Sequence, residues 1–335
     1  MSTRPLVVVT DHLAEIGVER DILDAAAEIR LLQTDDERDV ARAAAEADAI
    51  LVFHTIKLGE RTIAALSRCR GIVRAGVGYD NVDLHAAGQR GIVVCNVPDY
   101  GTEEVADHAL MLLLALARRL VPSHLALRAG KWDLATAFGA PRLRGRTLGI
   151  VGCGRIGTAM ALRAKALGMN VLFYDPYKPD GIDKALGIER VYRLDDLLPR
   201  AEFLSLHCPL TRETHHLLNA ATLAQLPAGA YVINTARGPC VDVPALCDAL
   251  DAGHIGHAAL DVVEREPLDD ERLRAHPRVL LTPHTAFYSV EGFREMRSKG
   301  AEEARRLVLG EPVRNPVNLH CLKNPRAVLP PSLPL

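Results

Sequence analysis

Apolar residues fall into short consecutive runs rich in Val, Ile and Leu, separated by stretches in which apolar positions recur at helical spacing. The runs occupy residues 6–10, 49–54, 71–75 and 92–97, then 147–151, 171–174, 203–207, 231–234, 258–262 and 279–282. A strand covered on both faces reads as a continuous apolar run, and helices between such strands make right-handed crossovers in a parallel sheet. The pattern predicts an α/β fold of doubly wound parallel sheets, with four strands early in the chain and six later.

One helical pattern, residues 102–120, separates the two groups; Thr102 stands where it can cap the start and Glu104 lies in the first turn. It is expected to be the longest single helix. A second, residues 289–309, follows the last strand and stops at Gly310 with Pro312 beyond. Having no following strand in the second sheet, it can return to the first. The expected organisation is a discontinuous domain of residues 1–101 and 287–335 and a second domain of residues 102–286. From Asn315 the tail carries Pro325, Pro330, Pro331 and Pro334, too many prolines for regular structure, and should drape over the surface or stay disordered.

The strand at 147–151 runs into Gly152, Gly154 and Gly157, spaced as G-x-G-x-x-G, and is followed by a helical pattern and a strand that ends at Asp175. The turn must be tight, the backbone must approach a pyrophosphate, and the helix must pack close to the strand, so glycine is needed at each place. The helix N-terminus then offers N–H groups and a positive dipole end to the phosphates. Asp175 would accept from a ribose hydroxyl and repel a 2′-phosphate, which favours NAD over NADP; Lys178 nearby softens that preference.

Three later strands each release a polar residue at their ends: Arg237, Glu266 and His284. Ligands in open parallel sheets sit outside the carboxyl ends of the strands, so these three can converge beside a bound nicotinamide. Hydride arriving at the carbonyl carbon of a 2-oxo acid leaves charge on oxygen, and a proton donor working near neutrality must answer it. His284 suits that role. Glu266 behind the imidazole would fix its tautomer and favour its protonated form, and the planar fork of Arg237 matches a substrate carboxylate as Lys would not.

Composition narrows the alternatives. The 335 residues, 48% apolar and 24% charged, suffice for about two domains, and a net charge of -2 with no long Lys/Arg block leaves no electrostatic footprint for nucleic acid or an anionic membrane. Small-molecule chemistry is the default. The first residues carry no apolar h-region and the longest apolar stretch, 109–117, is too short to cross a bilayer, so a cytoplasmic location is expected. Seven scattered cysteines, never spaced Cys-x-x-Cys, support neither a disulfide framework nor a zinc site, and read as small core residues. His215 and His216 should point in different directions, and His254 and His257 flank a turn at Gly256; no metal is expected.

These residues also carry a family resemblance. Through His54-Thr-Ile, Arg74-Ala-Gly-Val-Gly-Tyr-Asp-Asn-Val-Asp83, Cys95-Asn-Val-Pro98, Leu162-Arg-Ala-Lys-Ala, Val171-Leu-Phe-Tyr-Asp-Pro-Tyr177, His207-Cys-Pro-Leu, Asn234-Thr-Ala-Arg-Gly238 and Thr282-Pro-His284, the chain resembles the D-isomer-specific 2-hydroxyacid dehydrogenases, most of all their C-terminal binding protein subgroup. The likeness spans roughly residues 6–318. It implies a Rossmann NAD-binding domain and a smaller flavodoxin-like substrate domain, usually in a homodimer joined through the cofactor domain and its long helix. It also implies that Arg237 meets the substrate carboxylate, that Glu266 supports His284, and that the Arg74 loop offers the N–H groups of Val77 and Gly78 to that carboxylate, with His54 close by. Thr102, Arg155, Ile156, Thr214, Thr235, Ala236 and Asp261 are implied near the cofactor, Asp261 on the nicotinamide side, with Cys208 and Pro209 in the same wall. Phe287 stands where the corepressor-like members have Trp, and Val77 replaces a small polar residue. Glu266, and the absence of a Gln before His284, set the chain apart from formate dehydrogenases.

The expected activity is NAD(H)-dependent interconversion of a 2-oxo acid and its (R)-2-hydroxy acid, with the two domains closing around substrate. The alternative is an NADH-sensing, corepressor-like scaffold; the short tail after Asn318 and the intact Arg237, Glu266 and His284 weigh toward catalysis.

Overall fold

The computed structural model describes residues 4–34 and 36–331. The chain divides into two compact units, Met1–Gly101 with Ser289–Leu335, and Thr102–Tyr288. The first is built on strands β1 (Leu6–Val9), β2 (Glu28–Leu31), β3 (Ala49–Val52), β4 (Gly71–Arg74) and β5 (Val93–Asn96). They form a parallel sheet in the order β2-β1-β3-β4-β5, the flavodoxin-like arrangement. The second unit holds β6 (Thr147–Val151), β7 (Asn170–Tyr174), β8 (Glu189–Val191), β9 (Phe203–Leu206), β10 (Ala230–Asn234), β11 (Ile255–Leu260) and β12 (Val279–Leu281). Their order, β12-β11-β10-β9-β6-β7-β8, is the Rossmann arrangement extended by one strand, and every pairing is parallel.

Two strands, β2 and β8, stand outside the apolar runs. Each lies at a sheet edge, and each alternates or mixes exposed and covered positions. An edge strand covered on one face needs no continuous apolar run, so Glu28 and Arg30, or Glu189 and Arg190, do not prevent pairing. The sheets therefore have five and seven strands where the runs predict four and six.

The helical patterns also resolve differently. The first helix of the second unit is Thr102–Ala117, and Arg119 takes a left-handed φ of 53° before a second helix, Leu120–Arg128. The longest helix is instead Val290–Leu309, at 20 residues. Its start is capped by Ser289, whose Oγ accepts from the Gly292 N–H at 2.8 Å, and Gly310 ends it in the left-handed region. It packs on β3, β4 and the helix Gly17–Leu23, and there Arg297 forms a buried ion pair with Glu19, Nη2 to Oε2 at 2.6 Å.

The described part of the tail is ordered along the first unit, the draped form of the two expected. The Asn318 side chain is buried and takes both a donor and an acceptor from the start of the β5 segment, Val94 N–H and Ile92 C=O, each at 3.0 Å. A short 3-10 turn follows at Leu319–Cys321, and the Arg326 guanidinium reaches the carbonyls of Ser67 and Cys69. Proline cannot donate to a ladder, but its neighbours can pair: on either side of Pro316, Asn315 C=O accepts from Asn96 N–H at 3.2 Å and Val317 N–H donates to Val94 C=O at 2.8 Å. Pro334 lies outside the described residues. All seven cysteines are free, and six are buried.

Candidate active site

Between β6 and β9 the second sheet changes direction of winding, and the glycine turn sits at that point. The three glycines do three different things. Gly152 has a φ of +89°, and a Cβ there would lie 2.7 Å from the Cys208 nitrogen. Gly157 packs so closely that a Cβ would stand 2.0 Å from the Gly152 carbonyl oxygen. Gly154 meets nothing in the chain within 4 Å and caps the helix Arg155–Ala166. Its open flank, ahead of the first-turn residues Arg155 and Ile156, is where a pyrophosphate can approach helix N–H groups.

Asp175 closes this turn from β7. Its carboxylate accepts from Cys153 N–H at 2.9 Å and Tyr177 N–H at 3.0 Å, so its position is tied to the glycine turn itself. On the far side, Thr214 Oγ1 donates to the Pro209 carbonyl at 2.6 Å, which orders the loop that Cys208 begins. At the end of β10, the Thr235 hydroxyl is buried and has no hydrogen-bond partner among the described residues. A buried hydroxyl left in that state costs free energy unless a ligand answers it. Ala236 follows it, and Thr102 opens the first helix of the unit.

The catalytic candidates arrive at the same sheet edge. Asn234, the last residue of β10, is buried and grips the next loop with both ends of its amide: Oδ1 accepts from Ala236 N–H at 3.0 Å and Nδ2 donates to Arg237 C=O at 2.9 Å. Beyond β12, His284 has a left-handed φ of 53°. That strained backbone is held by its own N–H, which donates to Asp261 C=O at 2.8 Å and Thr282 C=O at 3.1 Å. The buried Asp261 carboxylate accepts from Thr282 Oγ1 at 2.6 Å and from the Thr285 and Ala286 N–H groups at 3.0 Å. His108, from the helix Thr102–Ala117, contacts Thr282 Oγ1 at 3.0 Å. In this chain Asp261 is thus the clamp of the loop that carries His284.

His284 Nδ1 and Glu266 Oε2 are 2.6 Å apart. Burial pushes the Glu266 carboxyl up, but the hydrogen bond and charge of His284, the Val263 N–H and the Arg237 charge outweigh it, and the group sits below its ordinary value. Phe287 meets the His284 ring edge-on at 6.2 Å between centroids. Arg237, Glu266, His284 and Phe287 therefore belong to one neighbourhood of the second unit.

The other named residues gather in the first unit. The buried Asp11 carboxylate accepts from the N–H groups on either side of His54, Phe53 at 2.9 Å and Thr55 at 3.1 Å. Asn81 Nδ2 donates to Phe53 and Ile56 carbonyls at 2.8 and 2.7 Å, while its Oδ1 faces Arg74 Nε at 3.4 Å. In the Arg74 loop, Gly76 C=O accepts from Val97 N–H at 3.1 Å and Val77 C=O from Asn96 Nδ2 at 2.7 Å. In a trans peptide the N–H points opposite to the carbonyl, so the N–H groups of Val77 and Gly78 each face away from the anchored carbonyl of their own peptide.

The His215 and His216 rings do not diverge: they stack at 4.1 Å between centroids, and His216 Nε2 pairs with Glu264 Oε1 at 2.5 Å. Among the described residues no group of three or more His, Cys, Asp or Glu side chains could hold a metal ion.

The sequence profile described as "D-isomer specific 2-hydroxyacid dehydrogenase, NAD binding domain" matches residues 110–286, more than half of the chain. The chain belongs to this family. C-terminal-binding protein 1 of Caenorhabditis elegans is 36% identical over 100% of the chain and 47% of its own length. Among solved structures, D-lactate dehydrogenase from Aquifex aeolicus, complexed with NAD and lactic acid, is 30% identical over 91% of this chain and 96% of that one, with a TM-score of 0.84. The NADPH-dependent glyoxylate/hydroxypyruvate reductase of Sinorhizobium meliloti, in complex with NADP and malonate, is 32% identical over 99% and 100%, with a TM-score of 0.85. The chain spans about half the length of the curated relatives it matches.

The glycine roles separate experimentally. Gly154→Ala should leave the melting temperature unchanged, because its Cβ meets no protein atom, yet weaken NADH binding by about tenfold or more by obstructing the phosphates. Gly157→Ala should lower both stability and binding. Thermal melts and NADH fluorescence titration distinguish them, and a Gly154→Ala variant that binds like the wild type argues against phosphate approach at this turn.

Proposed function

We propose that this member of the family uses NADH to reduce a 2-oxo acid to its (R)-2-hydroxy acid, and catalyses the reverse oxidation with NAD. The observation that carries the reading is the 2.6 Å His284–Glu266 pair on the sheet edge that also carries the glycine turn and Arg237. The residues suit a dinucleotide: an open Gly154 flank, an unanswered Thr235 hydroxyl and a carboxylate at Asp175. When bound, the dinucleotide supplies or accepts the hydride.

The chain's own part is binding and proton transfer. Arg237 pairs with the substrate carboxylate, which also orients the carbonyl. His284 gives its proton to the carbonyl oxygen in reduction and takes it back in oxidation. Glu266, kept charged below the ordinary carboxylate range, accepts from Nδ1 and so fixes which ring nitrogen faces substrate. Asp175 favours NADH over NADPH by repelling a 2′-phosphate. Phe287, against His284, lines the side of the substrate that varies between acids.

NADH oxidation should be measurable with glyoxylate, pyruvate, hydroxypyruvate or a larger 2-oxo acid. His284→Ala should lower turnover about a hundredfold or more, and Arg237→Lys should raise the KM for the acid through loss of the bidentate contact. Undiminished turnover in His284→Ala would sink the mechanism. The scaffold alternative, motivated by the likeness to C-terminal-binding protein 1, requires no turnover with any acid together with NADH-dependent capture of a partner.

We further propose a homodimer. The helix Leu120–Arg128 buries none of its residues, and Leu120, Leu125, Leu127, Trp132, Leu134 and Phe138 are all exposed, Trp132 at 92%. So large an apolar segment on a globular surface marks a covered interface, and its place just beyond the first helix of the cofactor unit suits a second copy. Light scattering on the eluting peak should give a dimer, and Leu134→Glu with Phe138→Glu a monomer whose single tryptophan, Trp132, emits at longer wavelength. A wild-type monomer at micromolar concentration contradicts this assignment.

A further inference from the structure

Arg190 lies on the edge strand β8, opposite Phe173 of β7, with its side chain only 6% exposed. The reaction does not call on it. A guanidinium taken out of water needs its hydrogen bonds replaced; Nε has no partner among the described residues, and the acceptors of both Nη atoms come from the loop after β7. Nη2 donates to Asp175 C=O at 3.2 Å and Lys178 C=O at 2.8 Å; Nη1 donates to Pro179 C=O at 3.2 Å and the Asp180 carboxylate at 3.2 Å. Asp180 is 91% exposed, so that ion pair contributes little. The three carbonyls remain, and a planar fork is what can hold several at once.

Asp175 is consequently fixed through two separate groups. Its carbonyl is held by Arg190, and its carboxylate by the Cys153 and Tyr177 N–H groups. We infer that Arg190 is a positioning residue for dinucleotide selection: by pinning residues 175–180 it holds the Asp175 carboxylate where it meets a ribose 2′-hydroxyl and repels a 2′-phosphate. Without it the loop relaxes, the carboxylate keeps only the Cys153 anchor, and Lys178 is released to approach a phosphate. Selectivity then falls from both directions. This inference rests on the NAD reading above.

The test compares the full-length wild type with Arg190→Gln and Arg190→Lys. Affinities for NADH and NADPH are read from cofactor fluorescence without substrate, and kcat and the 2-oxo acid KM are read at saturating NADH. The wild type should prefer NADH. Arg190→Gln should bind NADH about tenfold or more weakly, as loss of charge-assisted hydrogen bonds predicts, with the NADH-over-NADPH preference narrowed and kcat and acid KM unchanged. Arg190→Lys should fall between the two, because an ammonium cannot span three carbonyls. Unchanged NADH affinity, a parallel loss of both dinucleotides with preference intact, or a fall in kcat at saturation overturns the assignment. A wild type that binds neither dinucleotide refutes the NAD reading itself, which is a different result from a variant that matches the wild type.

Discussion

All seven strands of the second sheet run in one direction, so every loop that leaves a strand at its carboxyl end emerges along a single edge. The glycine turn after β6, the Asp175 loop after β7, Cys208 after β9, Thr235 and Arg237 after β10, Asp261 and Glu266 after β11 and His284 after β12 share that edge for this reason alone. Residues far apart in sequence need no special contact to be brought near one another. Parallel pairing supplies the neighbourhood, and the reversal of winding between β6 and β9 supplies the opening.

Placement along an edge is still too coarse for proton transfer, which works over hydrogen-bond distances. The finer positioning comes from buried polar side chains at or just past strand ends that hold the loop leaving the same or a neighbouring strand. Asn234 grips the Arg237 loop, Asp261 grips the His284 loop through its side chain and backbone, Asp11 grips the amides around His54, and Asn96 turns the Val77 carbonyl. Each such bond nets only about 1 kcal/mol, but leaving its buried partner unsatisfied costs more, so the loops are held chiefly by the penalty for moving. The left-handed backbone of His284 persists within such a restraint.

The fold class, and the place of Arg237, Glu266 and His284 beyond their strand ends, are legible in the sequence because each leaves a pattern: continuous apolar runs for strands covered on both faces, and a fixed glycine spacing for the turn. What escaped lacks a pattern. The edge strands β2 and β8 carry Glu and Arg because one side needs no cover, and β8 brings with it Arg190. The break at Arg119 is a single backbone dihedral inside an otherwise helical apolar rhythm. The loop clamps are side-chain to backbone bonds between distant segments, as with Asp11 and Phe53, and no local spacing announces them. The tail is held by scattered backbone bonds at Asn315, Val317 and Lys323 and by the Asn318 and Arg326 side chains, none of which leaves a spacing in the sequence.

Glu266 is the point at which fold, electrostatics and reaction meet. Its carboxyl is held below the ordinary value, so its charge persists from neutral pH into the acid range and is lost only as pH falls through that lowered value. Over the working range a charged carboxylate therefore stands 2.6 Å from His284 Nδ1 and fixes the ring by accepting from it. The most direct measurement is the pH dependence of kcat/KM for 2-oxo acid reduction in the wild type and in Glu266→Gln. In the wild type kcat/KM should fall on the acid side only below the ordinary carboxylate range, and Glu266→Gln should lower kcat/KM and lose that acid-side fall. A variant that keeps both the height and the acid-side fall of the wild type would contradict it.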